Sequence, residues 1–138
     1  MSIKFYTSRG GTTNSNISLF YIGRSVVDQS FGFEFITTDY TIGTAWGDNI
    51  SYTPTLNWQN YNDKWILFTA TYDGSIIKVY FDGVLMGTSD PVTLNITKST
   101  SGFSGVYGDL AVGSRWKDQR VWNGYLSDMR IYNYALDE

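Results

Sequence analysis

Trp65-Ile-Leu-Phe-Thr-Ala-Thr-Tyr72-Asp73-Gly74, followed by Ile76-Ile-Lys-Val-Tyr-Phe81 and Asp82-Gly83, is the stretch whose reading decides the fold. Two runs rich in β-branched and aromatic residues flank one Asp-Gly pair, and a second pair ends the later run. Asp-Gly readily supplies the positive φ that tight hairpin turns demand, so each pair predicts a reversal of the chain. In an extended strand successive side chains point to opposite faces. Ile66, Phe68, Ala70 and Tyr72 therefore share one face of the first run, and Ile77, Val79 and Phe81 share one face of the second. Thr69, Thr71, Lys78 and Tyr80 fall on the other faces. One apolar and one polar face per strand is the pattern of an antiparallel sheet packed on one side.

The same rhythm runs outward from this hairpin. Apolar or β-branched runs recur at Ile3–Thr7, Ile17–Ile22, Phe31–Thr37, Tyr40–Ala45, Leu110–Val112 and Tyr125–Tyr134. Turn-forming clusters separate them at Arg9–Asn16, Gly47–Asn49, Asn57–Asp63 and Lys98–Gly105. Many short strands between turn signals predict an all-β, two-sheet antiparallel sandwich. A chain of 138 residues, 17% aromatic and with only 2 prolines, can bury a core as one domain without cross-links. No run approaches the roughly 20 apolar residues of a membrane helix. No charged-then-apolar leader opens the chain, which starts Met1-Ser-Ile-Lys-Phe-Tyr6. Tyr134–Glu138 is the one segment with the look of a short terminal turn.

Two absences exclude whole classes of chemistry. Cys and His are both zero, which rules out a disulfide framework, a Cys/His zinc site and a Ser-His or Cys-His nucleophile. The net charge of -3, with Lys and Arg scattered except at Arg115, Lys117 and Arg120, argues against a nucleic-acid partner, whose binders carry a basic stripe.

Further residues carry a family resemblance. Trp65 opens a strand ending Thr71-Tyr72-Asp73-Gly74; the run Ile77–Phe81 leads into Asp82-Gly83, and Gly87 follows. Leu110-Ala-Val-Gly113 comes next, then Trp122-Asn-Gly124-Tyr-Leu-Ser-Asp128-Met-Arg130-Ile-Tyr-Asn133-Tyr-Ala-Leu136. That order resembles the closing half of laminin-G-like members of the concanavalin A-like lectin/glucanase superfamily. From residues 3 to 60 only the strand rhythm agrees. The resemblance implies a jelly roll of two antiparallel sheets with ligand loops at a rim. Members of this kind usually carry a leader strand beside the C-terminal one. Here the chain opens almost at Ile3, so the expectation is either a domain cut from a longer protein or a missing edge strand, and an exposed edge invites pairing.

Glycoside hydrolysis needs two carboxylates about 5–9.5 Å apart, one poised as an acid. The glucanase members use a Glu-x-Asp-x-x-Glu strand. This chain has only Glu34 and Glu138, neither in such a setting, so the expectation is a protein without catalytic residues. Sugar binding instead needs aromatic faces ringed by amides and carboxylates. The candidates in turn-like segments are Trp46 with Asp48 and Asn49, Tyr107 with Asp109, and Trp116 between Arg115 and Lys117. Trp65 and Tyr72 read as core, and Trp58 and Trp122 border strands. Asp73 and Asp82 are explained by their turns, and Asp128 with Arg130 reads as a same-face ion pair. Calcium is a further habit of the resembled family; Asp39, Asp48, Asp109 and Asp118 are the carboxylates near loops, without the Asp-x-Asp-x-Asp spacing of a readable site, so the metal question stays open. The sequons at Asn16, Asn49 and Asn95 are no more than chance supplies.

These residues lead to the expectation of a non-catalytic recognition module, extracellular or on a cell or virion surface, with a glycan or surface protein as partner and no membrane insertion. The absence of cysteine favours a bacterial or viral setting. The alternative is a structural or assembly protein, such as a virion decoration, fibre or adhesin domain, forming homo-oligomers or joining a parent assembly through edge strands.

Overall fold

The computed structural model describes residues 1–7, 17–23, 30–36, 41–45, 58–91, 93, 110–114 and 121–134. They form β1 (Ser2–Tyr6), β2 (Ile17–Gly23), β3 (Ser30–Ile36), β4 (Thr41–Ala45), a 3-10 turn at Trp58–Tyr61, β5 (Trp65–Tyr72), β6 (Ile77–Phe81), β7 (Val84–Thr88), β8 (Ala111–Val112) and β9 (Tyr125–Arg130). A five-stranded sheet runs β7-β6-β5-β1-β9 and a four-stranded sheet runs β4-β3-β2-β8. Every strand pairing among the described residues is antiparallel. The fold is the all-β sandwich of two antiparallel sheets that the sequence predicts.

The alternation read from the sequence sets the packing. Ile66, Phe68, Ala70, Ile77, Val79 and Phe81 are buried against Phe33 and Phe35 of the opposing sheet. Phe5 sits at the centre, its ring 5.4 Å from Phe35, 5.7 Å from Phe81 and 5.3 Å from Trp122, all edge-on. Phe33 meets Phe68 at 4.8 Å. Edge-to-face contacts set the positive rim of one ring on the negative face of another, so this core gains from geometry as well as from burial. Trp122, which the sequence left undecided, is core at 8% exposure, and its indole N–H donates to the Tyr6 carbonyl at 3.2 Å.

The two Asp-Gly pairs make different turns. Phe81 pairs with Val84, leaving Asp82 (φ 50) and Gly83 (φ 81) as the two-residue turn that Asp-Gly favours. The first connection is longer: Tyr72 pairs with Ile77, so four residues intervene. There the Asp73 carboxylate accepts the N–H groups of Ser75 (2.8 Å) and Ile76 (2.7 Å), and Gly74 takes φ 102. The bonds from Ile76, then Ser75, hold the Asp73 carboxyl below the usual carboxylate range.

Three expectations need correction, and β7 adds a strand to those read from the sequence. β7 is a strand that the run Val84-Leu-Met-Gly-Thr88 gave no alternation to announce. The last run is strand only to Arg130, and of the terminal turn only Tyr134 lies within the described residues. The strand beside the C-terminal one is not missing: β1 lies between β5 and β9. Asp128 pairs with Lys4 across β1–β9 at 3.2 Å rather than with Arg130. The reason is a bulge. Lys4 faces Ser127 and Ser2 faces Arg130, so β9 spends one residue more than β1 over that interval, and Asp128 takes φ 53.

Candidate functional site

The six rim candidates, Trp46, Asp48, Asn49, Tyr107, Asp109 and Trp116, lie outside the described residues, as do Asp39 and Asp118 among the calcium candidates. The described residues place a different set of chemical groups together, on the outer face of the five-stranded sheet.

Trp65 is the key correction. It precedes Ile66 by one residue, and strand alternation turns it away from the core that Ile66 enters. It is 51% exposed. Tyr6 is its register partner on β1, and Tyr125 is the partner of Tyr6 on β9. The three rings converge, with centroids 5.9 Å (Trp65–Tyr6), 5.9 Å (Tyr6–Tyr125) and 6.4 Å (Trp65–Tyr125) apart. Trp65 and Tyr125 lean together over Tyr6, and Tyr125 is 68% exposed. The Tyr6 hydroxyl donates to Asp63 Oδ1 at 3.3 Å. Crowding by its surroundings, then the Asp63 charge and this bond, push the Tyr6 phenol above its ordinary value.

One residue row further along the strands an open groove of about 360 Å³ begins at Trp65 and is lined by Lys4, Leu67, Asp82, Ser127 and Asp128. Its volume lies at the small end of the range for small-molecule sites, about 300–1,000 Å³. Both carboxylates are held. Asp82 Oδ1 accepts the Leu67 N–H at 2.8 Å while its own N–H donates to the Leu67 carbonyl at 2.9 Å, tying the β6–β7 turn to β5. Asp128 is held by Lys4. The bulge places Ser127 and Asp128 both in the exposed layer while Leu126 and Met129, three residues apart, face the core. Without the extra residue Asp128 would turn inward.

An indole face, two oriented acceptors, an ammonium and a hydroxyl around a shallow groove can hold a small polyhydroxylated ligand. Both carboxylates already have partners in the fold: Asp128 is ion-paired with Lys4 and Asp82 accepts a backbone N–H. Glu34 is buried within the second sheet and accepts the Ser18 hydroxyl at 3.0 Å. Among the described residues no group of three or more acidic side chains could hold a metal ion. Sequence reasoning missed Lys4, Tyr6, Tyr125 and the groove roles of Asp82 and Asp128. For Trp65 the signal was present, since its parity matches Thr69 and Thr71 rather than Phe68.

Comparison with curated proteins returned no match. Laminin-G-like domains are typically non-enzymatic binding modules. The model of a laminin-G-like family, described as concanavalin A-like lectin/glucanases superfamily, matches residues 2–138, and the chain belongs to that family.

Proposed function

We propose that this protein is a non-catalytic recognition module that binds carbohydrate at a surface outside the cell, on a cell envelope or on a virion. The observation that carries the reading is the exposed Trp65 indole at the end of a groove holding two fixed carboxylates. Sugars offer an apolar face of C–H groups for stacking and a rim of hydroxyls that donate to carboxylates, and the groove supplies both complements. The family's non-enzymatic habit supports it.

The test is binding to a broad glycan array, with calcium and again with chelator. A saturable hit that Trp65→Ala weakens by about tenfold or more, the scale of losing one stacking contact of about 1.4 kcal/mol, supports the reading. An unchanged profile under chelator shows that the hit needs no calcium. A blank array sinks carbohydrate recognition and favours the assembly reading. That reading rests on β7 and β9, each with one strand neighbour among the described residues, and sedimentation of the intact chain would report it as a defined oligomer.

A further inference from the structure

We infer that the groove beside Trp65 selects uncharged sugars and rejects anionic ones, an inference that rests on the carbohydrate reading above and adds its ligand class. Among the described residues, the charged groups lining the groove are one ammonium, Lys4, against two carboxylates, Asp82 and Asp128, and these sum to a negative charge. The ammonium is also committed. Lys4 Nζ lies 3.2 Å from Asp128 Oδ2, and a sulfate or uronate would have to take Lys4 from Asp128 and then sit beside two carboxylates. Like charges in contact cost far more than rim pairs gain.

The surroundings reinforce the bias. Asp63 stands beside Tyr6 at the aromatic end, and the nearby Lys64 Nζ is turned to the Asn60 carbonyl at 3.0 Å. A site for sulfated or phosphorylated ligands presents Arg or Lys forks that face the ligand, and among the described residues no arginine lines this groove. What it offers is acceptors. Asp82 and Asp128 are each held through one oxygen, and a carboxylate's second oxygen is an acceptor for donors such as sugar hydroxyls. Ser127 supplies a reciprocal donor, and Trp65 supplies the stacking face.

The experiment titrates ¹⁵N-labelled protein with the neutral disaccharides maltose, cellobiose, lactose and N,N′-diacetylchitobiose, and in parallel with a sulfated heparin disaccharide. The readout is the Trp65 indole N–H resonance, assigned by its loss in Trp65→Phe. At least one neutral sugar should shift it, with a Kd that changes less than about twofold between about 0.01 M and 1 M salt, because no net charge is exchanged. The sulfated sugar should leave it unmoved. Asp82→Asn with Asp128→Asn keeps the backbone of the β6–β7 turn and of the β9 bulge, since asparagine also tolerates positive φ, and leaves Lys4 as the one charged group among the described lining residues. That variant should admit the heparin disaccharide in a salt-sensitive manner and bind the neutral sugar about tenfold more weakly. If the sulfated sugar shifts Trp65 in the unaltered protein, charge selection is wrong while recognition at this face stands. If neither class shifts it, both the selection and the carbohydrate reading fall.

Discussion

Trp65 and Asp128 are where the account turns on single residues. Its place in the hairpin of the resembled family reads Trp65 as core, although the alternation that buries Ile66 and Phe68 directs it outward. Parity was the better guide. Asp128 was not legible, because its role depends on a bulge that no local rule in Tyr125–Arg130 announces. Its φ of 53 yields a sharp test: Asp128→Gly should retain the fold's stability within about 0.5 kcal/mol while removing the carboxylate, whereas Asp128→Ala should cost about 1 kcal/mol more than the glycine variant, since alanine resists positive φ. Chemical denaturation of both variants checks it, and equal costs would mean the bulge is not under this constraint. Asp73 gives a pH prediction. Its folded carboxyl is held low by the Ile76 and Ser75 N–H groups, so its stabilisation is complete above the ordinary carboxylate value near about 3.9 and is lost as pH falls through the folded value. Asp73→Asn keeps an acceptor that does not titrate. Its unfolding free energy should fall less steeply than that of the unaltered protein on acidification below about pH 4, and identical acid limbs would remove Asp73 from the explanation.

At the scale of elements, the β5–β6 pair was readable because its apolar residues alternate cleanly and its turns carry Asp-Gly. β7 was not, since Val84-Leu-Met-Gly-Thr88, at the end of its sheet among the described residues, has Val84 and Leu85 both exposed and so shows no period of two. The placement of β1 between β5 and β9 was hidden for another reason: pairing between the two ends of a chain leaves no local trace. Gly124 is the residue that permits it. It takes φ 144 just before β9, and a Cβ there would collide with the Tyr6 carbonyl, the same oxygen that accepts the Trp122 indole N–H. Gly124→Ala should therefore push β9 away from β1 and cost about 1–3 kcal/mol. Amide exchange should report it as faster opening of β1 and β9 than of the β5–β6 hairpin. Uniform acceleration across both regions would argue against a local effect.

Over the whole molecule, the two sheets are joined by an aromatic core in which Phe5, Phe35, Phe81 and Trp122 touch one another across the interface. Burying an indole in this position accounts for the cost expected of Trp122→Ala, about 3–5 kcal/mol, measurable as a lowered urea midpoint with little change in slope. The sandwich could be read from composition and rhythm. The groove could not, because it draws on β1, the start of β5, the β6–β7 turn and the β9 bulge, which only the folded topology brings together. The rim candidates Trp46 and Trp116 belong to segments for which the described residues offer no comparison. Localising a bound sugar decides most directly between these surfaces. With the strongest glycan from the array, chemical-shift mapping of the labelled protein should move the Trp65 indole and the amides of Lys4, Leu67, Ser127 and Asp128 together. Shifts confined to Trp46 or Trp116, with Trp65 and its neighbours unmoved, would contradict the account.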